Sequence, residues 1–101
     1  MILYNVTIKV DWYIHKEWLQ WMKEVNIPDM METGFFIDYR MVRLLRVDET
    51  DGPTYAVQYN AHSIDQYNMF LEKHLDIQYQ KESNKWGNKF ISFSTIMEVV
   101  H

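Results

Sequence analysis

A chain of 101 residues with 48 % apolar side chains is long enough for one hydrophobic core and too short for two. Its 14 acidic against 10 basic residues leave a formal charge of −4, which argues against binding nucleic acid by phosphate neutralisation. The absence of cysteine excludes disulfides, thiolate metal centres and cysteine nucleophiles, and suits a reducing cytoplasm.

Ile2, Tyr4, Val6, Ile8 and Val10 alternate with Leu3, Asn5, Thr7 and Lys9, which predicts a strand with one buried face. The same stretch lacks a basic leader and does not read as a signal peptide. Asp11 is placed to cap a helix, whose apolar stripe is Ile14, Trp18, Trp21, Met22 and Val25. Pro28 is expected to stop this helix and to open a second, short one that ends at Thr33-Gly34. Phe35 to Val47 reads as a long strand with Phe35, Ile37, Tyr39 and Met41 on one face and Phe36, Asp38 and Arg40 on the other. A loss of phase around Val42 to Leu45 suggests a bulge.

Asp48 to Pro53 is polar and holds Asp51-Gly52, a hairpin turn signal. Thr54 to Ala61 is the returning strand, with Tyr55, Val57, Tyr59 and Ala61 facing one way and Ala56, Gln58, Asn60 and His62 the other. Ser63-Ile64-Asp65-Gln66 is a capping box for a helix whose inner stripe is Ile64, Tyr67, Phe70, Leu71, His74 and Leu75. That pattern fades from Ser83, with Gly87 as the stop, and Phe90 to Val100 reads as the last strand. No run approaches the ~18 consecutive apolar residues of a membrane span. The order β-α-β-β-α-β predicts one α+β domain over residues 1–101 with the ferredoxin-like arrangement. Two helices would cover one face of a four-stranded antiparallel sheet.

If the helices cover the side of Tyr4, Val6 and Ile8, the other side carries Asn5, Thr7, Asp38, Arg40, Gln58 and Asn60. Amides, hydroxyls and one charged pair gathered there suit a wet surface, a dimer interface with a second copy of the chain, or a pocket that hydrogen-bonds a small-molecule ligand. Two such sheets face to face would form a dimeric α+β barrel. The six residues are therefore the candidate ligand-binding set, and a homodimer is the expected assembly.

Catalytic constellations are weak. His15, His62, His74 and His101 form no metal-spaced cluster, and no metal or cofactor is predicted. His62 and Asp65 straddle a helix start, where the acid complements the helix dipole. Asp29 and Glu32 have the same structural explanation, and Trp18, Trp21 and Met22 are read as core. Three glycines are too few for a phosphate-cradling loop, and no serine lies in a nucleophile-elbow context. The run Gly52 to Tyr59 is superficially similar to the third strand of RNA-recognition modules. It is one residue short, and Asp51 stands where a basic residue belongs.

Several motifs resemble a small bacterial family, domain of unknown function 4286. They are Met1-Ile2-x-Tyr4-Asn5-Val6-Thr7, Glu17-Trp18-x-x-Trp21-Met22, Ile27-Pro28-Asp29-Met30 and Thr33-Gly34-x-Phe36. Tyr55-x-Val57-Gln58-Tyr59 and Lys89-Phe90-x-x-Phe93-x-Thr95 complete the set. The resemblance implies a ferredoxin-like domain of the dimeric α+β barrel group and brings no assigned activity. It departs where a His often precedes the Ile-Pro pair and this chain has Asn26. The resulting expectation is a homodimeric cytoplasmic domain that binds a small molecule or a protein partner, with no nucleic acid and no membrane involved. The alternative is a cofactor-independent small-molecule oxygenase or isomerase, by analogy of fold.

Overall fold

The first strand of the chain forms the centre of the sheet. In a computed structural model, which describes residues 1–101, β1 (Ile2–Val10) pairs antiparallel with β3 (Thr54–Ala61) on one side and β4 (Phe90–Glu98) on the other. β2 (Asp38–Arg43) adds to the far edge of β3, giving the order β2-β3-β1-β4. The register sets Tyr4 opposite Tyr59 and Ile96, and Val6 opposite Val57 and Ser94. Asn5, on the other side of the pleat, faces Gln58 and Thr95. This is the ferredoxin-like α+β fold that the alternation predicts.

Asp11 does not cap the first helix. Its Oδ1 accepts from the Tyr13 N–H at 2.7 Å, closing a local turn, and α1 (His15–Trp21) begins only four residues on. Nor does Pro28 stop it. The chain runs from α1 through one π turn (Met22–Asn26) into α2 (Ile27–Glu32), with the Ile27 N–H donating five residues back to the Met22 carbonyl. Pro28 falls in the opening turn of α2, where its missing N–H removes no needed bond. The π turn inserts one residue, which rotates α2 by about 100° relative to α1. Val25 is therefore turned out to solvent, and Asn26, only 2 % exposed, takes the inward position.

Phe36 corrects the long-strand reading. Residues 35–37 leave the sheet before β2 starts, so Phe36 drops into the core, against Tyr4, Tyr59 and Phe70, instead of lying on the open face. β2 ends at Arg43, and Arg46 takes a left-handed conformation at φ 59°. The β2–β3 connection is thus a long loop rather than a tight Asp-Gly hairpin. It docks on the end of β1, with the Val10 N–H donating to the Pro53 carbonyl and the Trp12 N–H to the Asp51 carbonyl. Gly52 is required there by close approach, since a Cβ would sit 1.7 Å from the Val10 carbonyl oxygen.

Ser63 caps α3 (Ile64–Lys73) as predicted, its Oγ accepting from the Gln66 N–H at 3.3 Å. Ile64 is exposed, while Phe70 is fully buried. The helix breaks at His74, and α4 (Leu75–Trp86) restarts with a new phase that ends at Gly87, φ 60°. The restart is what turns Gln78 inward and Ile77 outward. Lys81 ties α4 to α2 through Asp29 at 2.5 Å and lies over the Trp21 ring. No helix is long and apolar enough to cross a membrane.

Candidate functional site

The six polar residues singled out from the sequence do share the uncovered face. Their side chains are joined in pairs there. Asn5 Nδ2 donates to Thr7 Oγ1 at 3.1 Å, Arg40 Nη2 to Gln58 Oε1 at 3.3 Å, and Asn60 Nδ2 to Asp38 Oδ1 at 2.5 Å. β4 completes this face with Ile91, Phe93, Thr95 and Met97, of which Ile91 and Phe93 are 71 % and 63 % exposed.

A cavity lies on the opposite side, between the sheet and the helices. It has a volume of about 200 Å³. Its floor is Tyr4, Val6 and Ile8 of β1 with Val57 and Tyr59 of β3, and its roof is Met22, Asn26 and Met30 with Leu75, Gln78 and Glu82. Exposed Tyr79, Ser92 and Ser94 mark the open side. The opening exists because the helices do not reach across β4, whose inward-facing positions carry small serines.

Three polar side chains converge at the roof. Gln78 Nε2 donates to Asn26 Oδ1 and, at 3.1 Å, to Glu82 Oε1. Asn26 Nδ2 reaches the same carboxylate oxygen at 3.4 Å and the Met22 sulfur at 3.3 Å. Gln78 and Glu82 are four residues apart, so one helical turn brings them to the same side of α4. Asn26 joins them only because of the π turn. The bonds leave a remainder, since Gln78 Oε1 is buried without any partner. An orphaned buried acceptor costs about 1–3 kcal/mol, which a ligand donor would recover.

Burial pushes the Glu82 carboxyl above the ordinary carboxylate range, against the lowering effect of the hydrogen bonds from Gln78 and Asn26 and of nearby Lys81. Burial likewise pushes the Tyr4 hydroxyl up to about 12, and Tyr59 is raised for the same reason. The negative charge of Glu82 adds to both shifts, so it acts on the aromatic floor. No Lys, Arg or His side chain lines this cavity.

Sequence reasoning does not single out Gln78, Glu82 or the aromatic floor as a site. The i, i+4 spacing of Gln78 and Glu82 is visible, but its orientation depends on the break at His74. Asn26 stands out in the sequence only as a departure from a family pattern.

A second cluster closes the long loop. His15 Nε2 and the Tyr55 hydroxyl are 2.7 Å apart, and Arg43 lies over the Trp12 and Tyr55 rings while pairing with Glu49 at 3.0 Å. Burial, then the Arg43 charge, lowers the His15 pKa and favours the neutral ring that accepts a hydrogen bond. No group of acidic and histidine side chains is arranged to hold a metal ion.

Solved structures share this architecture at identities that speak for the fold alone. An ethyl tert-butyl ether D (EthD) family protein from Bacillus halodurans C-125 superposes with a TM-score of 0.71 at 7 % identity, covering 99 % of this chain and 100 % of its own. A putative antibiotic biosynthesis monooxygenase from Nitrosomonas europaea gives 0.69 at 8 % identity, with both chains covered completely. A dimeric ferredoxin-like protein from an uncultured marine organism gives 0.60 at 10 % identity, covering 99 % and 95 %. No curated protein matches the chain in sequence. The model of the domain of unknown function DUF4286 matches residues 1–100, so the chain belongs to that family.

Proposed function

We propose that this chain is a homodimeric domain of the bacterial cytoplasm that binds a small molecule in the cavity between its sheet and its helices. The observation that carries the reading is the unpartnered Gln78 Oε1, buried at the roof of a cavity with an aromatic floor and an open side. At about 200 Å³ the cavity is below the ~300–1,000 Å³ of drug-sized sites, which suits a ligand of fragment size. The uncovered face, with Asn5, Thr7, Asp38, Arg40, Gln58 and Asn60 beside the exposed Ile91 and Phe93, is assigned to the partner subunit. The dimeric ferredoxin-like relative in structure supports that assignment, and the lack of cysteine supports the compartment.

A fragment screen by ligand-observed NMR tests the cavity. Binding should be lost when Ser94→Trp closes the open side, and fragments that bind equally well to that variant would remove the reading. Light scattering at micromolar concentration should report twice the 12.4 kDa chain mass. A monomer would remove the dimer.

One observation favours the second reading, a cofactor-independent isomerase or oxygenase. Glu82 is a desolvated carboxyl on the cavity wall, the kind of group that serves as a general base near neutral pH. Loss of turnover in Glu82→Gln, with ligand binding retained, would favour that reading over simple binding.

A further inference from the structure

We infer that the cavity selects a small ligand with an apolar or aromatic body and a cationic amine head, and that Gln78 Oε1 and the Glu82 carboxylate receive that head. This rests on the cavity being a binding site, as proposed above.

Elimination among donors and acceptors defines the head. Asn26 spends its amide on Glu82 Oε1, on the Met22 sulfur and, as acceptor, on Gln78. Gln78 Nε2 is spent on Asn26 and Glu82. Both donors reach Glu82 through the same oxygen, so Oε2 receives neither, and Gln78 Oε1 receives nothing. The roof therefore holds a pair of acceptors one helical turn apart that no donor of the chain reaches. Such a pair asks for at least two N–H or O–H donors on one group.

Charge then separates the candidates. Glu82 is the only acidic or basic side chain on the cavity wall. The nearest lysine in sequence, Lys81, points elsewhere, held by Asp29 at 2.5 Å over the Trp21 ring. An anionic head would meet Glu82 with no compensating cation. An ammonium head would bring a counter-charge into a cavity whose wall holds none. Tyr4 and Tyr59 line the same cavity with ring centroids 6.2 Å apart, and the Glu82 charge raises the pKa of both hydroxyls. Gln78 itself is only 7 % exposed, so its orphaned oxygen is enclosed and not a surface group waiting on water.

The test uses three probes of one shape: 2-phenylethylammonium, 2-phenylethanol and phenylacetate, titrated by calorimetry and NMR. The ammonium should bind at least tenfold more tightly than the alcohol, and phenylacetate should not bind. On the unaltered protein, affinity for the ammonium should rise from pH 4 to pH 8 as Glu82 ionises, while affinity for the alcohol should not rise. Glu82→Gln should erase the preference between the two. Binding of the alcohol or of phenylacetate as tightly as the ammonium would overturn the charge selection and leave the cavity reading intact. If none of the three binds, both readings fall. Should Glu82→Gln not fold, the pH series decides: an ammonium affinity that does not rise with pH overturns the assignment.

Discussion

The two faces of the sheet solve the same problem in opposite ways. Each meets polar side chains, borne by the strands at the uncovered face and by the helices at the covered one, and each has aromatic or aliphatic neighbours. On the uncovered face Asn5 is paired with Thr7, Arg40 with Gln58 and Asn60 with Asp38, so no special demand is left over. Under the helices the polar groups are enclosed, and two of their atoms, Gln78 Oε1 and Trp86 Nε1, are left without a partner. A wet face tolerates loose ends because water satisfies them, whereas an enclosed one does not. Polar residues crowding a surface are thus weaker evidence of a ligand than an enclosed orphan beside a cavity.

The contrast can be broken most severely from the covered side. Phe70 is fully buried and meets Tyr4, Phe35 and Phe36. Phe70→Ala should cost about 4 kcal/mol in a denaturant titration, and a cost near 1 kcal/mol would mean that the helical layer is loosely packed. Adjacent residues then compare the faces directly. Val57 is 1 % exposed under the helices, and Gln58 lies across the pleat. Val57→Ala should cost about 2 kcal/mol. Gln58→Ala should cost about 0.5 kcal/mol or less in the monomer.

Self-association is tested at the exposed aromatic of the open face. Phe93→Glu should weaken dimerisation by at least tenfold in sedimentation or light scattering while leaving the monomer folded by circular dichroism. An unchanged dimer would place the interface elsewhere. The smallest effect is on pH dependence, through Glu82. Its pKa is raised in the folded state, so its contribution favours folding while it is protonated and is lost as pH rises through the raised value. Thermal melts from pH 4 to pH 8 should therefore show Glu82→Gln gaining stability relative to the unaltered chain as pH rises. A constant difference between the two would mean that the carboxyl is not desolvated.

Much of the fold is legible in the sequence because strands and helices leave periodic marks. The alternation from Ile2 to Val10 and from Thr54 to Ala61 predicts both central strands at their observed limits, and Ser63 and Gly87 mark helix ends. The departures have two causes. Asp11 spends its carboxylate on a local turn and Pro28 sits where no N–H is needed, while Phe36 and Asp51-Gly52 are set by contacts far along the chain.

The placement of Asn5, Thr7, Asp38, Arg40, Gln58 and Asn60 on one face follows from a period of two, which any strand must obey. The candidate site is not legible in that way. It needs Asn26 turned inward by one inserted residue, Gln78 and Glu82 reoriented by a break at His74, and serines on β4 where the helices fall short. Periodicity determines which residues share a face of one element. Which faces of different elements meet, and which polar atom is left unpartnered between them, is decided only when the elements pack, because burial and hydrogen-bond pairing are properties of the assembled whole.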